Sequence, residues 1–514
     1  MRHASPLLLA LFLSLPACKE EPVPQAPTPV LVEDGDWNDT GAFAPCLVVT
    51  RAPCGARNNF ESGACDPASL AAFDTESAYT MHVRVTRPAY AEALGFIPQA
   101  MLPSASDAGT AGGYPLTERE VTPSSFFLTS QHEDLQGRVI RRTYLGCRQP
   151  TPGHLQGCYV ECTNDTVAAH GTFDAWKFTP AANEPVASGL EQVSETRMDL
   201  GTPADVYVTH GHAYVVSLRG GLYVYDVRDP AHPVLTAHVF RETDNYWNGV
   251  WAKDNALYVA SAARGVLVFD LQDPAHPVLA GAAPTQSINV HTLYITENLL
   301  LAASSDPDGV VLVFDITQPL RPVLLSQFQA NGFNPSRSYG PHDMFAFERR
   351  LYVNYWGAGY VVASLEDPTA PVELGRFRYE HSTSHANAVG RIQGRLIGFE
   401  GGEDWGAHLR VLDLTDPAAP RRIGEHQRSG HVSIHNMVLV GTRLYVAWYH
   451  EGVRVLDVAE PEHPREVAWF NTFRATDPER GVSFYEGTIG IRVPGDGYVY
   501  AVDTSRGLLV LREQ

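Results

Sequence analysis

A chain of 514 residues with 44% hydrophobic and 10% aromatic side chains is long enough for about two to four folded units and too apolar to be disordered. Its 58 acidic against 38 basic side chains give a formal charge of −20. That balance excludes a nucleic-acid surface, because phosphate binding needs clustered Lys and Arg to displace counterions.

Residues 1–18 read as an export signal, with a basic start (Arg2, His3), an apolar run over 7–15 and small residues before Cys18. The apolar run is too short to span a bilayer. The string LPAC at 15–18 resembles the lipobox of bacterial lipoproteins, which implies lipid on Cys18 and a membrane held through it. Cleavage as an ordinary secretory signal is the alternative. Cysteine parity favours lipid: with Cys18 acylated, Cys46, Cys54, Cys65, Cys147, Cys158 and Cys162 form an even set for three disulfides in an oxidising compartment. Their pairing stays open, since six cysteines allow 15 connectivities. Residues 19–41, acidic and Pro-rich without periodicity, read as a tether.

Residues 42–178 hold all six remaining cysteines, and their short alternating stretches, such as YTMHVRVT at 79–86 and SFFLTS at 125–130, predict a small disulfide-rich β domain. No catalytic motif stands out in it.

From about residue 200 the chain repeats one phrase, GLYVYDVRDPAHP at 221–233. Copies begin at 265, 310, 359, 408 and 452, with a truncated one at 507. Measured at Asp226, Asp270, Asp315, Ser364, Asp413, Asp457 and Arg512, the period is 44 to 55 residues, the length of a propeller blade and too long for a leucine-rich repeat. Within a copy, LYVAWY at 444–449 and GVRVLDV at 452–458 alternate with period two across a tight turn, and the D-P-x-x-P segment ends the second strand. With one strand before and one after, each copy is a four-stranded blade, so 189–514 is an all-β, seven-bladed β-propeller. The last copy stops short of its outer strand, so a segment within 189–198 is predicted to supply it and close the ring. The repeated phrase resembles the LVIVD repeat of exported bacterial proteins. The resemblance implies a propeller on a surface-anchored chain and no particular chemistry.

Inner strands of a propeller begin at the channel mouth, and loops between the second and third strands lie on the same face. Counting nine residues back from the second strand places His291, His342 and His435 there, and a two-residue insertion adds His385. Converging imidazoles suit Zn, Cu or Fe. The structural alternative is that each histidine only bonds neighbouring backbone. Trp247, Arg337, Tyr339, Tyr355, Trp356, Trp405, Trp448 and Tyr449 fall on the same face, the ingredients of a ligand site and equally of packing between blades. The repeated acids, such as Asp226 and Asp229, read as turn caps on the opposite face rather than a calcium site.

These readings predict a monomeric, lipid-anchored protein of the bacterial envelope, at the outer membrane or cell surface. Its propeller would be a non-catalytic binding module for a protein, peptide or glycan. The alternative is a propeller metalloenzyme built on the four histidines.

Overall fold

The computed structural model describes residues 31, 33–90, 93–134, 136–180, 184–336 and 338–514. Cys18 and the signal lie outside them, as does Arg337. Among the described residues no helix is long and apolar enough to cross a membrane.

The cysteine-rich region is a closed eight-stranded barrel running from Tyr79–Arg87 to Thr166–Lys177, its first and last strands paired antiparallel. Inward-facing Met81, Val83, Leu128, Tyr144, Tyr159 and Phe173 fill it, and closure removes the unpaired edges an open sheet would expose. Short alternating runs announce strands but not their ring order, so this topology came only with the structure. The disulfides are Cys46–Cys158, Cys54–Cys162 and Cys65–Cys147. Each ties the segment that precedes the barrel to one of two adjacent strands, Val139–Thr151 or His154–Thr163.

The propeller has seven blades, with four-stranded sheets spanning 202–239, 247–283, 292–328, 343–377, 384–426, 437–470 and 488–513. Blade 7 takes its outer strand from Leu190–Thr196, which pairs antiparallel with Gly507–Glu513. The ring therefore closes as the truncated repeat predicts. Arg506 and Arg474 lock the closure by pairing with Glu195 at 2.7 and 3.0 Å. The short strand Ala187–Ser188 also extends blade 6.

The repeated phrase is scaffold at every position. Its leading glycine sits at positive φ (+82° at Gly221, +79° at Gly452), and a Cβ there would meet the outer strand's carbonyl at 2.2 Å. Asp226 and Asp229 accept backbone N–H groups of Arg228 and Ala231 and so cap the turn. The tyrosine of the second strand laces blades together: Tyr214 donates to Pro274 O in blade 2, and Tyr258 to Pro319 O in blade 3. Apolar faces of adjacent blades bury one another around the ring.

The barrel docks on blades 5 and 6 and on the loop entering blade 7. His82 stacks on Trp405, Trp176 on His431 and Trp37 on His381, with ring centroids 5.1, 4.1 and 4.0 Å apart. Asp107 pairs with Arg480 at 2.8 Å. The end of the acidic stretch expected as free tether is docked as well. Asp36 is buried against Arg410 at 2.8 Å, and Glu33 reaches the same guanidinium at 3.0 Å. Unpaired buried arginine is costly, so this segment is drawn out of solvent.

Candidate metal centre and cavity

Four successive blades deliver a histidine to the channel mouth, three of them by one backbone device. The N–H of His291, His342 and His435 each donates to the carbonyl twelve residues on, in the second strand (Ala303, Asn354 and Ala447, at 2.8 to 3.0 Å). His385 starts the inner strand of blade 5 beside a bulge. The four rings form an arc, with neighbouring centroids 4.1, 4.0 and 4.4 Å apart.

A second set of side chains stands above them, at the position where each second strand ends. In blades 4, 5 and 6 it is Trp356, Glu403 and Tyr449. Glu403 is absent from the sequence-derived list for a geometric reason. The inner hairpin of blade 5 is two residues longer in each strand than that of blade 4: the pair Gly390↔Ile397, equivalent to Phe347↔Arg350, is followed by Arg391↔Leu396 and Ile392↔Arg395. The turn to the third strand is two residues longer as well, Gly401 pairing with Leu409 where Asn354 pairs with Tyr360, so a fixed count back from the repeat phrase lands on Trp405 instead of Glu403. The glutamate nearest in sequence to Trp405 was the available signal.

Glu403 reaches into the arc. Its carboxylate lies 3.4 Å from His385 Nε2, 3.5 Å from His435 Nε2 and 3.9 Å from His342 Nε2, and it accepts a hydrogen bond from the Tyr449 hydroxyl. Ligand atoms of His342, His385 and Glu403 all lie within 4.8 Å of one another. Burial lowers His291 to about 4 and His435 to about 3, and pushes His342 and His385 well below the ordinary imidazole range. The rings are therefore neutral, as metal ligands must be. Burial also raises Glu403 to about 8, the response of a desolvated carboxylate with no cation beside it.

The hydrogen bonds sort the histidines by role. His435 donates from Nδ1 to Ile489 O, which leaves the Nε2 lone pair facing Glu403. Both ring nitrogens of His385 and Nδ1 of His342 are buried without a hydrogen-bond partner, a cost that a bound cation removes. His291 faces the Asn248 amide at 3.2 Å and stands at the edge of the cluster. Backbone bonding thus accounts for His435 in part and for His385 not at all. The cluster can coordinate a metal ion, and its donors of imidazole with one carboxylate suit Zn, Fe or Cu better than oxygen-seeking Ca or Mg.

Above the cluster opens a cavity of about 850 Å³, lined by Trp356, Tyr339, Tyr449, Tyr246 and Tyr485 among others. Below it the axial channel holds about 160 Å³ beside Asp205, Asp343, Asn387 and Arg492. Trp356 and Tyr449 hold positive φ, +43° and +28°, strained for bulky residues and characteristic of sites rather than scaffold.

The remaining aromatic candidates separate from the cavity. Trp247 is buried between blades, its indole N–H on Asp244. Tyr355 packs between blades 3 and 4 with its hydroxyl on Gly309 O of blade 3, and Trp448 is buried between blades 5 and 6. Trp405 faces the barrel. Large rings beside a blade-top turn satisfy packing first, and of the sequence candidates Trp356, Tyr449 and Tyr339 line the cavity.

Residues 201–240 and 246–285 match the LVIVD repeat family, so the chain is an LVIVD-repeat-containing, seven-bladed propeller. No curated protein matches it. Similar solved structures include the computationally designed Ika8 protein (11% identity, TM-score 0.44, 62% of this chain and 99% of that one). Others are the WD40 propeller domain of Doa1 (12%, 0.46, 64% and 98%) and a chain of the mitotic checkpoint complex (12%, 0.46, 65% and 96%).

Proposed function

We propose that this chain is an envelope protein whose propeller captures a small ligand at a transition metal held by His342, His385, His435 and Glu403, with the cavity above as the ligand pocket. The observation that carries the reading is the convergence of His342, His385 and Glu403 around imidazole nitrogens that have no other partner. A bound metal would supply Lewis acidity toward a ligand donor atom. The chain's own residues would fix that donor: Tyr449 orients Glu403, His435 is set by Ile489 O, and Trp356 walls one side. The fold's suitability for binding also supports capture of a protein, peptide or glycan at the same face, the reading the sequence favours. The open side of the cluster, with a phenol beside the carboxylate, favours metalloenzyme chemistry as a second reading.

Metal analysis of tag-free protein tests the centre. About one transition metal per chain is expected, lost in the His342→Ala/His385→Ala double variant. Protein that stays metal-free after reloading with Zn, Fe and Cu refutes it.

The three disulfides support transit through an oxidising compartment, and the lipobox supports a lipid anchor on Cys18. Cys18→Ser is expected to release the protein from membranes; retention of the variant refutes the anchor.

A further inference from the structure

The cavity carries more negative charge than its metal centre uses. A divalent ion beside neutral imidazoles and Glu403 alone would keep a net charge of about +1. Yet the wall adds Asp306, Glu479 and Glu486, and among the described lining residues there is no Lys or Arg. Arg337, next but one to Tyr339 in sequence, lies outside the described residues. Of the cations nearby, Arg480 is held by Asp107 and Arg474 by Glu195 and Asp477, while Arg219 acts on Tyr246 from the exposed rim, outside the lining. Glu486 is buried, pushed well above the usual carboxylate range by desolvation, and accepts the Gly481 N–H, so the carboxylates this wall offers a ligand are the exposed Asp306 and Glu479, which a positive charge stabilises.

The rings of the same wall have the complementary character. Tyr339 meets Trp356 edge to face at 6.0 Å, and Tyr449 and Tyr485 lie 5.7 Å apart. Trp356 also stands 5.1 Å from His342, so one face of this wall overlooks the floor. Aromatic faces attract cations through their quadrupole, by about 0.5–1 kcal/mol when exposed and about 2 kcal/mol when desolvated. Aromatic plates interleaved with carboxylates bind an ammonium better than either a neutral solute or an anion.

We infer that the cavity takes a small organic cation, an amine or quaternary ammonium seated against Trp356 and Tyr339 with Glu479 and Asp306 as counter-charges. The inference deepens the ligand-pocket reading above and uses the same cavity, but its ammonium contacts do not involve the metal. A donor atom on the ligand's other end would point to the His and Glu403 floor. The strained backbone at Trp356 gains a purpose here, since it turns the indole over the pocket instead of into the blade.

Choline and its uncharged carbon isostere dimethylbutanol are the probes, measured by calorimetry on metal-free and metal-loaded full-length protein. Choline is expected to bind at least about tenfold more tightly than the isostere, the equivalent of about 1.4 kcal/mol. Glu479→Gln is expected to weaken choline about three- to tenfold and to leave the isostere unchanged, and Trp356→Leu is expected to weaken choline about three- to tenfold more than it weakens the isostere. Equal affinity for the two probes, no choline binding at millimolar concentration, or indifference to both variants overturns the inference. Co-sedimentation with phosphatidylcholine vesicles, relieved by free choline, would assign the ammonium to a lipid headgroup; choline binding without co-sedimentation assigns it to a soluble molecule. Metal absent with choline bound refutes the metal centre alone, and metal present with no choline preference refutes the ammonium site alone.

Discussion

Blades 2 and 3 and blades 5 and 6 are built on one phrase and differ at one decisive position. Three residues before the turn Asp, blades 2 and 3 bury Leu267 and Leu312, whereas blades 5 and 6 bury Arg410 and Arg454, both fully enclosed. Each arginine is answered by acids from outside the propeller, Glu33 and Asp36 on Arg410 and Glu184 on Arg454 at 2.9 Å, and Arg454 also pairs with Glu451 and Glu466 of its own blade. Guanidinium stacking on the Tyr379 ring, 3.7 Å from its centroid, completes the first. A core leucine packs against its own and the adjacent blade and needs nothing from outside the ring. A buried arginine demands a partner and so fixes where the preceding chain, and the barrel with it, attaches.

The largest effect should come from opening the ring, which removes support from both kinds of blade. Deleting residues 189–198 strips blade 7 of its outer strand and is expected to abolish cooperative thermal unfolding or cause aggregation. A stable monomer after that deletion would show that closure is dispensable.

Next in size is the contrast itself. Arg454→Ala should cost about 3–5 kcal/mol in denaturant unfolding, because it leaves the largely buried Glu184, Glu451 and Glu466 sharing the single guanidinium of Arg428. Leu267→Ala in blade 2 should cost about 2–5 kcal/mol by leaving a cavity. The comparison is decided by rescue: adding Glu184→Gln should recover part of the arginine loss and none of the leucine loss. Equal behaviour of the two backgrounds would mean that the acid insertion does not clamp the barrel.

The docking surface also predicts a pH dependence. Burial lowers His82 to about 4, against the opposing charges of Asp174 and Asp39, with His381 adding to the shift. A histidine neutral when folded but protonatable when unfolded contributes fully above pH 6.5, and that contribution is lost as pH falls from 6.5 toward 4. Barrel unfolding should therefore lose about 1–3 kcal/mol more over that window than in His82→Gln. Identical pH profiles for the two proteins would remove His82 from the interface energetics.

Smallest is the lacing between ordinary blades. Tyr214→Phe removes only the hydrogen bond to Pro274 O and should cost about 0.5–1.5 kcal/mol. A loss as large as that of Arg454→Ala would erase the distinction between lacing and clamping.

How far the sequence could be read follows from what each feature depends on. The blade count, the turn caps at Asp226 and Asp229, and the missing outer strand all rest on local alternation and turn chemistry, which recur in register and are visible in one dimension. His291, His342 and His435 were countable for the same reason. Glu403 was not, because the turn between the second and third strands of blade 5 is two residues longer and puts Trp405 at its place in the count. For Trp247, Tyr355 and Trp448 the sequence left ligand site and inter-blade packing equally open, because a ring's direction at a blade top is set by its neighbours' volume and not by its place in the repeat, and packing is the outcome.

What the sequence by itself determined is the repeat, its period and the closure they require, since alternation and D-P turns specify blades without knowledge of partners. Only tertiary structure decided which side chains share a site. Glu403 meets the histidines, and Asp36 and Glu184 meet their arginines, because burial brings together charges from distant stretches of chain and makes each pay for desolvation unless the other is present.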